Sequence, residues 1–102
     1  MSCKITVKTQ VKDFNTFKKV AREEGWTVKD KNFTKGHVTF NTVQHGEVFD
    51  LVCESEYRQD MQTLLQSYAA EMVVQEARKR GLSAKVMGRD KQGNIEVKVI
   101  CQ

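Results

Sequence analysis

Residues 37–53, HVTFNTVQHGEVFDLVC, contain two runs of strand-forming residues on either side of a short loop. The first run covers residues 37–43, the second covers residues 47–53, and Gln44, His45 and Gly46 lie between them. A loop of three residues that includes glycine is typical of a β-hairpin. The segment therefore predicts two adjacent antiparallel strands near the middle of the chain.

The second strand of this hairpin carries apolar residues on both of its faces. Phe49 and Leu51 share one face, whereas Val48 and Val52 share the other with Asp50 between them. An antiparallel sheet with one solvated face alternates apolar and polar residues along each strand. We therefore expect a partner subunit or a bound ligand to cover part of the second face.

The chain before the hairpin predicts a strand, a helix and a second strand. Residues 3–9 alternate polar and apolar side chains, which is the pattern of a strand buried on one side. Asp13 is a good N-cap for a helix with apolar residues at helical spacing, and Gly25 is suited to end it. Residues 26–30 alternate again as a strand, and residues 31–36 are expected to form a turn-rich connection.

The chain after the hairpin predicts one long helix and a closing hairpin. Apolar residues recur every three or four positions over residues 57–80, and the cations Arg78, Lys79 and Arg80 precede Gly81. Residues 83–88 and 94–100 are strand-like and flank a turn. The predicted order is β-α-β-β-β-α-β-β in a single α+β domain over residues 1–102. We expect a ferredoxin-like, split β-α-β elaboration with two helices on one face of an antiparallel sheet.

Composition favours a soluble globular protein of one domain. The chain has 102 residues, of which 39% are apolar and 29% charged. The N-terminus lacks the apolar block of an export signal, and the three cysteines are widely spaced and odd in number. No apolar run is long enough to span a membrane. These features favour a cytoplasmic location without a membrane partner.

Charge is distributed unevenly along the chain, although the net charge is only +4. Residues 1–35 hold nine Lys or Arg against four acids, residues 36–77 hold one against seven, and residues 78–102 hold seven against two. If the two basic ends meet in the fold, their side chains form one positive surface that attracts an anion. The alternative is an ordinary solvated face. The residues expected at this anion site are Lys4, Lys8, Lys29, His37, His45, Lys85 and Lys98.

Several kinds of chemistry find no support in the residues. His37 and His45 flank a strand and have no cysteine or carboxylate at zinc-like spacing, so no metal site is expected. The six glycines stand singly at turns, so the sequence contains no glycine-rich phosphate-binding loop. No cofactor is therefore expected. No residue is assigned a catalytic role. An enzyme built on His45, Cys53 and Glu54 remains the third hypothesis, because the sequence does not tell whether these side chains meet.

The preferred hypothesis is a non-enzymatic module that forms a homo-oligomer, through the second sheet face or the long helix. It would bind or sequester a phosphate-bearing ligand, such as a nucleotide, or an acidic partner. The runner-up is an RNA-binding domain that uses a basic sheet face. Single-stranded RNA-binding sheets add exposed aromatic residues between their cations, and only Phe40 or Phe49 would be available here.

The order of several short motifs resembles the Ycf thirty-five-like proteins, a family of small cyanobacterial and plastid proteins without an accepted activity. The motifs are residues 6–13 (TVKTQVKD), Gly25 with Trp26, residues 49–52 (FDLV) before Tyr57, residues 76–81 (EARKRG), and residues 93–95 (GNI), together with Tyr68 and Ala69. The resemblance runs over nearly the whole chain. It implies the same fold order, but it carries no catalytic motif and no set of binding residues. This chain is shorter before the central hairpin and before the long helix.

Overall fold

The computed structural model describes residues 4–89, 91–92 and 95–100, and the chain forms two compact units, Met1–Leu64 and Leu65–Gln102. The fold is α+β, with two helices and an antiparallel sheet. The elements in chain order are β1 (Lys4–Val11), α1 (Phe14–Glu23), β2 (Thr27–Lys29), β3 (Asn32–Lys35), β4 (Val38–His45), β5 (Val48–Glu54), a 3-10 turn (Ser55–Tyr57), α2 (Arg58–Lys79), β6 (Ser83–Arg89) and β7 (Ile95–Ile100).

The first unit contains a five-stranded antiparallel sheet in the order β1-β5-β4-β3-β2. Strands β2 to β5 follow one another as a meander, and β1 is added beside β5. The predicted central hairpin is confirmed, since β4 pairs with β5 across a turn at Gly46 and Glu47. The strand order differs from the expected split β-α-β arrangement, because each of the four later strands pairs with its neighbour in sequence.

The connection expected at residues 31–36 is a strand instead. Strand β3 pairs with β2 on one side and with β4 on the other, and its Phe33 is fully buried. The ring of Phe33 stacks on that of Phe40 at 4.7 Å between centroids. Phe33 is the one apolar residue between Val28 and Val38, so the alternation that marks a strand is nearly absent. Tertiary pairing overrides weak local preference here.

Helix α1 begins and ends where its terminal residues predict. Asp13 accepts a hydrogen bond from the backbone N–H of Thr16 at 3.0 Å and one from its hydroxyl at 2.7 Å. This contact satisfies a backbone donor that the helix itself leaves unpaired. Gly25 has a φ of 95°, a conformation that disfavours residues with a Cβ, and it lies just beyond the helix. The Thr16–Ala21 face of α1 is buried.

The core of the first unit is aromatic and lies between α1 and one face of the sheet. Phe17 contacts Phe33 at 5.4 Å and Phe40 at 6.4 Å between ring centroids. Phe14 stacks on Phe49 at 4.4 Å. These pairs add to the free energy of apolar burial. The face of the sheet that carries Phe33, Phe40 and Leu51 is therefore its inner face.

The opposite, outer face of the five-stranded sheet is largely polar. The strand register places Thr6, Val52, Asn41, Asn32 and Lys29 in one row across it. The members of this row are exposed except for Val52, which is half-buried. Asp50, two residues before Val52 on the same face of β5, is buried. Strand β5 is thus covered on both faces over part of its length.

The second unit combines most of α2 with the hairpin β6–β7. The end of α2 matches its prediction, since Leu82 donates a hydrogen bond from its backbone N–H to the Ala77 carbonyl at 2.9 Å and Gly81 has a φ of 76°. Arg89 of β6 donates a hydrogen bond of 2.8 Å to the side-chain oxygen of Gln66 on α2. Within the part of the chain that the structure describes, neither helix is long and apolar enough to cross a membrane.

Candidate anion-binding site

Lys85 and Lys98 lie directly opposite each other on the paired strands β6 and β7. Both side chains are exposed. Directly opposed residues of an antiparallel pair have Cβ atoms about 4.5–5.5 Å apart, and two like charges at that distance destabilise the pair. The arrangement is therefore unfavourable by itself, and an anion between the two ammonium groups would offset the repulsion.

The lysine pair points away from α2. Ile95 and Val97 line a groove with Ala70 and Val73 of the helix, so this face of β7 is turned toward α2. Alternate residues of a strand point to opposite faces, and Lys98 therefore lies on the other face with its partner Lys85. This geometry leaves the two ammonium groups accessible to a ligand.

Lys4, Lys8 and Lys29 lie in the other compact unit. The strands that carry Lys4 and Lys29 are far apart, and the side chain of Lys8 lies outside the described part of the structure. Lys4 and Lys8 are on β1, and Lys29 is on β2, at the two opposite edges of the five-stranded sheet. Four inter-strand spacings of about 4.8 Å separate these edges by roughly 19 Å. Lys4 is directly opposite Glu54, which places a carboxylate on the same row.

The two histidines are on different parts of the first unit. His37 is exposed in the turn between β3 and β4, where its carbonyl accepts a hydrogen bond from the Tyr57 hydroxyl at 3.3 Å and its ring lies 6.0 Å from that of Tyr57. His45 is exposed at the end of β4, opposite Val48. The structure thus does not bring them together.

The side chains of the enzyme hypothesis are separated within the first unit. His45 shares the outer face with Val48, whereas Cys53 is opposite Phe40 on the inner face and is buried. Burial raises the pKa of the Cys53 thiol, which disfavours the thiolate that a nucleophile needs. Among residues 4–89, 91–92 and 95–100, no group of three His, Cys, Asp or Glu is placed to hold a metal ion.

The aromatic residues considered for RNA stacking lie on the inner face of the sheet. Phe40 is buried, and its ring centroid lies 5.1 Å from that of Trp26 and 4.7 Å from that of Phe33. The ring of Phe49 stacks on that of Phe14. Along the described strands, the outer face carries no Phe, Tyr or Trp. A sheet surface of this kind lacks the stacking platform of single-stranded RNA-binding sheets.

Arg89 is a basic residue of the hairpin that the expected site did not include. Its guanidinium contacts Gln66 at 2.8 Å and Ser67 at 3.4 Å on α2. It therefore fixes the end of β6 to the helix, whereas Lys85 and Lys98 are exposed on the other face of the hairpin. The density of basic residues at 85, 89 and 91 was the available sequence signal.

Comparisons with known proteins add nothing to these observations. No family model matches the chain, and the searches of curated proteins and of solved structures found no match either.

Proposed function

We propose that this protein is a non-enzymatic binding module that holds a phosphate-bearing anion between Lys85 and Lys98. The observation that carries the proposal is the directly opposed, exposed lysine pair. Charge-assisted hydrogen bonds from two ammonium groups would bind phosphate oxygens without a glycine-rich loop. The hairpin segment 83–100 holds four basic and two acidic residues, which supports an anionic ligand.

The binding site is tested by titrating inorganic tripolyphosphate into the protein by calorimetry. Because each ammonium contributes one charge-assisted contact, we expect the Lys85→Gln and Lys98→Gln variants to bind about tenfold more weakly each. Lys4→Gln and Lys29→Gln are matched controls on the edges of the five-stranded sheet, and their affinity should stay close to that of the native chain. Equal losses in all four variants would contradict a localised site.

A salt series separates this proposal from RNA binding by a broad basic surface. A site of two lysines neutralises about two phosphates, so the logarithm of affinity for a single-stranded oligonucleotide should fall with log salt at a slope of about −1.4. A sheet-wide surface would engage more cations and give a slope at least twice as steep. Affinity that is independent of salt would contradict both hypotheses.

We also propose that the protein forms a homodimer through a partly exposed apolar stripe of α2 that borders the β6–β7 hairpin. The stripe consists of Leu65, Ala69, Met72 and Val73. Leu65, Ala69 and Met72 follow one another at spacings of four and three, and Val73 is four residues after Ala69. All four therefore lie on one side of the helix. Ala69 is exposed, Val73 is 48% exposed, and Leu65 and Met72 are half-buried. A second copy of the helix would remove this apolar surface from water.

Charges at the ends of the stripe favour an antiparallel pair of helices. In heptad packing, antiparallel helices place each a position against a d position of the partner. The register that sets Leu65 against Ala69 of a second copy also sets Arg58 against Glu76 of that copy. Both residues are exposed, and their spacing of five helical turns places them on the same side of α2. Glu76 also pairs with Arg80 of its own helix at 3.2 Å, and the two-fold axis would form the pair with Arg58 twice.

Sedimentation equilibrium tests the dimer. Ala69→Arg should give a monomer, whereas Thr39→Arg on the outer face of the sheet should leave the dimer intact. The Arg58→Glu variant should weaken association, and the double variant Arg58→Glu/Glu76→Arg should restore it. A native protein that is monomeric would overturn the proposal, and a dimer disrupted by Thr39→Arg alone would move the interface to the sheet.

We further infer that the chain is a member of the Ycf thirty-five-like family. The support is the order of the motifs: they fall on β1, the end of α1, β5 and the end of α2, and Ile95 of the last motif begins β7. A structure of a family member with a different order of elements would contradict this assignment.

A further inference from the structure

A cavity of about 280 Å³ lies within the first compact unit, where three segments of the chain meet. The connection between α1 and β2 supplies Glu24 and Trp26, and the ends of β3 and β4 supply Lys35 and Val38. The first two turns of α2 supply Asp60 and Leu64, together with neutral polar residues. Pockets for drug-sized ligands begin at about 300 Å³, so this cavity fits a smaller molecule.

The inner wall of the cavity is apolar and packs against the core of the first unit. Trp26 is 6% exposed and packs edge-on against Phe40 at 5.1 Å between ring centroids. Leu64 is buried and Val38 is half-buried. Such a wall suits an aliphatic group of a ligand, because the group would bury its apolar surface against these side chains without separating any polar contact of the protein.

The rim of the cavity carries charges of both signs. The ammonium of Lys35 lies 6.0 Å from the centroid of the Trp26 ring, and the Lys35 side chain runs past Gly25, where an added Cβ would be 3.7 Å from its Cε atom. Asp60 is exposed in the first turn of α2, and Glu24 is half-buried at the end of α1. One cation and two carboxylates therefore border the same apolar wall.

A side-chain hydrogen bond links two of the three segments. The Tyr57 hydroxyl, just before α2, donates to the His37 carbonyl in the turn between β3 and β4 at 3.3 Å. This contact holds the start of α2, with Asp60, beside the strand ends that carry Lys35 and Val38. The cavity is thus positioned by the backbone as well as by its own side chains.

We propose that this cavity binds a free α-amino acid with an aliphatic side chain. With two carboxylates and one ammonium, the rim repels a simple anion on balance. A simple cation would make no favourable contact with Lys35. A zwitterion satisfies both signs: its carboxylate pairs with Lys35 and its ammonium pairs with Asp60, with Glu24 adding negative charge. The side chain of the ligand then lies against Trp26, Val38 and Leu64.

The ligand is tested by fluorescence, because Trp26 is the single tryptophan of the chain. The native protein is titrated with alanine, valine, leucine, isoleucine and methionine to about 10 mM, which detects even millimolar dissociation constants. The proposal predicts a saturable change in Trp26 emission with at least one of them. No change with any of the five would overturn it.

Charge-deleted analogues of the amino acid that binds test how it is held. For leucine these are 3-methylbutylamine, which lacks the carboxylate, and 4-methylpentanoate, which lacks the ammonium. Each analogue should bind the native protein at least about tenfold more weakly, since one charge-assisted contact is lost and a rim charge is left unmatched. An analogue that binds as tightly as the amino acid would contradict recognition of the zwitterion.

Two variants assign the contacts, each with a control of equal charge change. Lys35→Met should weaken leucine binding about tenfold, whereas binding of 3-methylbutylamine should be unchanged or stronger. Its control, Lys31→Met, should have no effect on either affinity. Asp60→Asn should weaken leucine binding and leave the affinity for 4-methylpentanoate unchanged. Its control, Glu47→Gln, should have no effect on either affinity. If the controls lower affinity as much as the rim variants, the response is a general charge effect and the site is wrong.

Discussion

Replacing Lys85 with glutamate is expected to stabilise the fold while it removes anion binding. The residue lies directly opposite Lys98 on an exposed face of the β6–β7 hairpin. Lys85→Glu converts a repulsive cross-strand pair into an attractive one. Opposite-charge pairs across strands contribute roughly 0.2–1 kcal/mol, and like-charge pairs cost a similar amount.

The expected gain in the free energy of unfolding is about 0.5–1 kcal/mol, because both side chains are exposed and the interaction is weakened by solvent. For a domain of this size, 1 kcal/mol corresponds to a shift in Tm of about 4–8 °C. Thermal unfolding followed by circular dichroism at low salt should therefore show a rise of about 2–8 °C. At about 1 M salt, where the screening length falls to about 3 Å, the rise should nearly disappear.

Lys91→Glu is the matched control, since Lys91 is exposed in the connection between β6 and β7 and the change in net charge is the same. The reasoning would be refuted if Lys91→Glu raised Tm as much as Lys85→Glu, or if Lys85→Glu lowered Tm. It would also be refuted if Lys85→Glu bound tripolyphosphate as tightly as the native chain. A gain in stability together with a loss of binding is the result expected of a functional like-charge pair.

Four further predictions concern the first unit. Asp13→Ala, which removes both hydrogen bonds to Thr16, should lower the free energy of unfolding in urea by about 1 kcal/mol, and Asp13→Ser should restore most of it. Phe33 is fully buried and stacks on Phe40. Phe33→Leu should therefore lower the free energy of unfolding by about 1–3 kcal/mol in the same assay. No measurable change would argue against strand β3. The variant Cys3→Ser/Cys101→Ser leaves Cys53 as the single thiol. At pH 8 this thiol should react with a disulfide reagent at least about a hundredfold more slowly in the folded protein than in guanidinium. The reason is that Cys53 is buried and its pKa is raised. Since the folded protein holds this thiol proton more tightly, the free energy of unfolding should fall as pH rises above the ordinary thiol pKa.

Local signals in the sequence were sufficient to locate most of the elements. Asp13 and Gly25 mark the ends of α1, Gly46 marks the central hairpin, and Gly81 follows α2. Each of these residues acts through its own backbone or its nearest neighbours, so its effect is readable without knowledge of the fold. Strand β3 was missed because its main contact, Phe33 with Phe40, is a pairing between strands.

The expected anion site depended on which strands pair, and local patterns do not determine that. Strand β1 pairs with β5, whose residues are 38 to 50 positions further along the chain, and β6 pairs with β7 in a separate sheet. The prediction of one surface from lysines at the two ends of the chain therefore rests on their charge and on their polar positions in the predicted strands, neither of which determines the pairing. Only Lys85 and Lys98, which flank the same predicted turn, are brought together by a pairing that the sequence did predict.

The most direct test of the lysine pair is a chemical-shift titration of the isotope-labelled native protein with inorganic tripolyphosphate. The account predicts saturable shifts that are largest for the backbone amides around Lys85 and Lys98, and that vanish in the Lys85→Gln/Lys98→Gln variant. Shifts centred on the lysines of α1 or on the edge strands of the five-stranded sheet, with residues 83–86 and 96–98 unchanged, would contradict it.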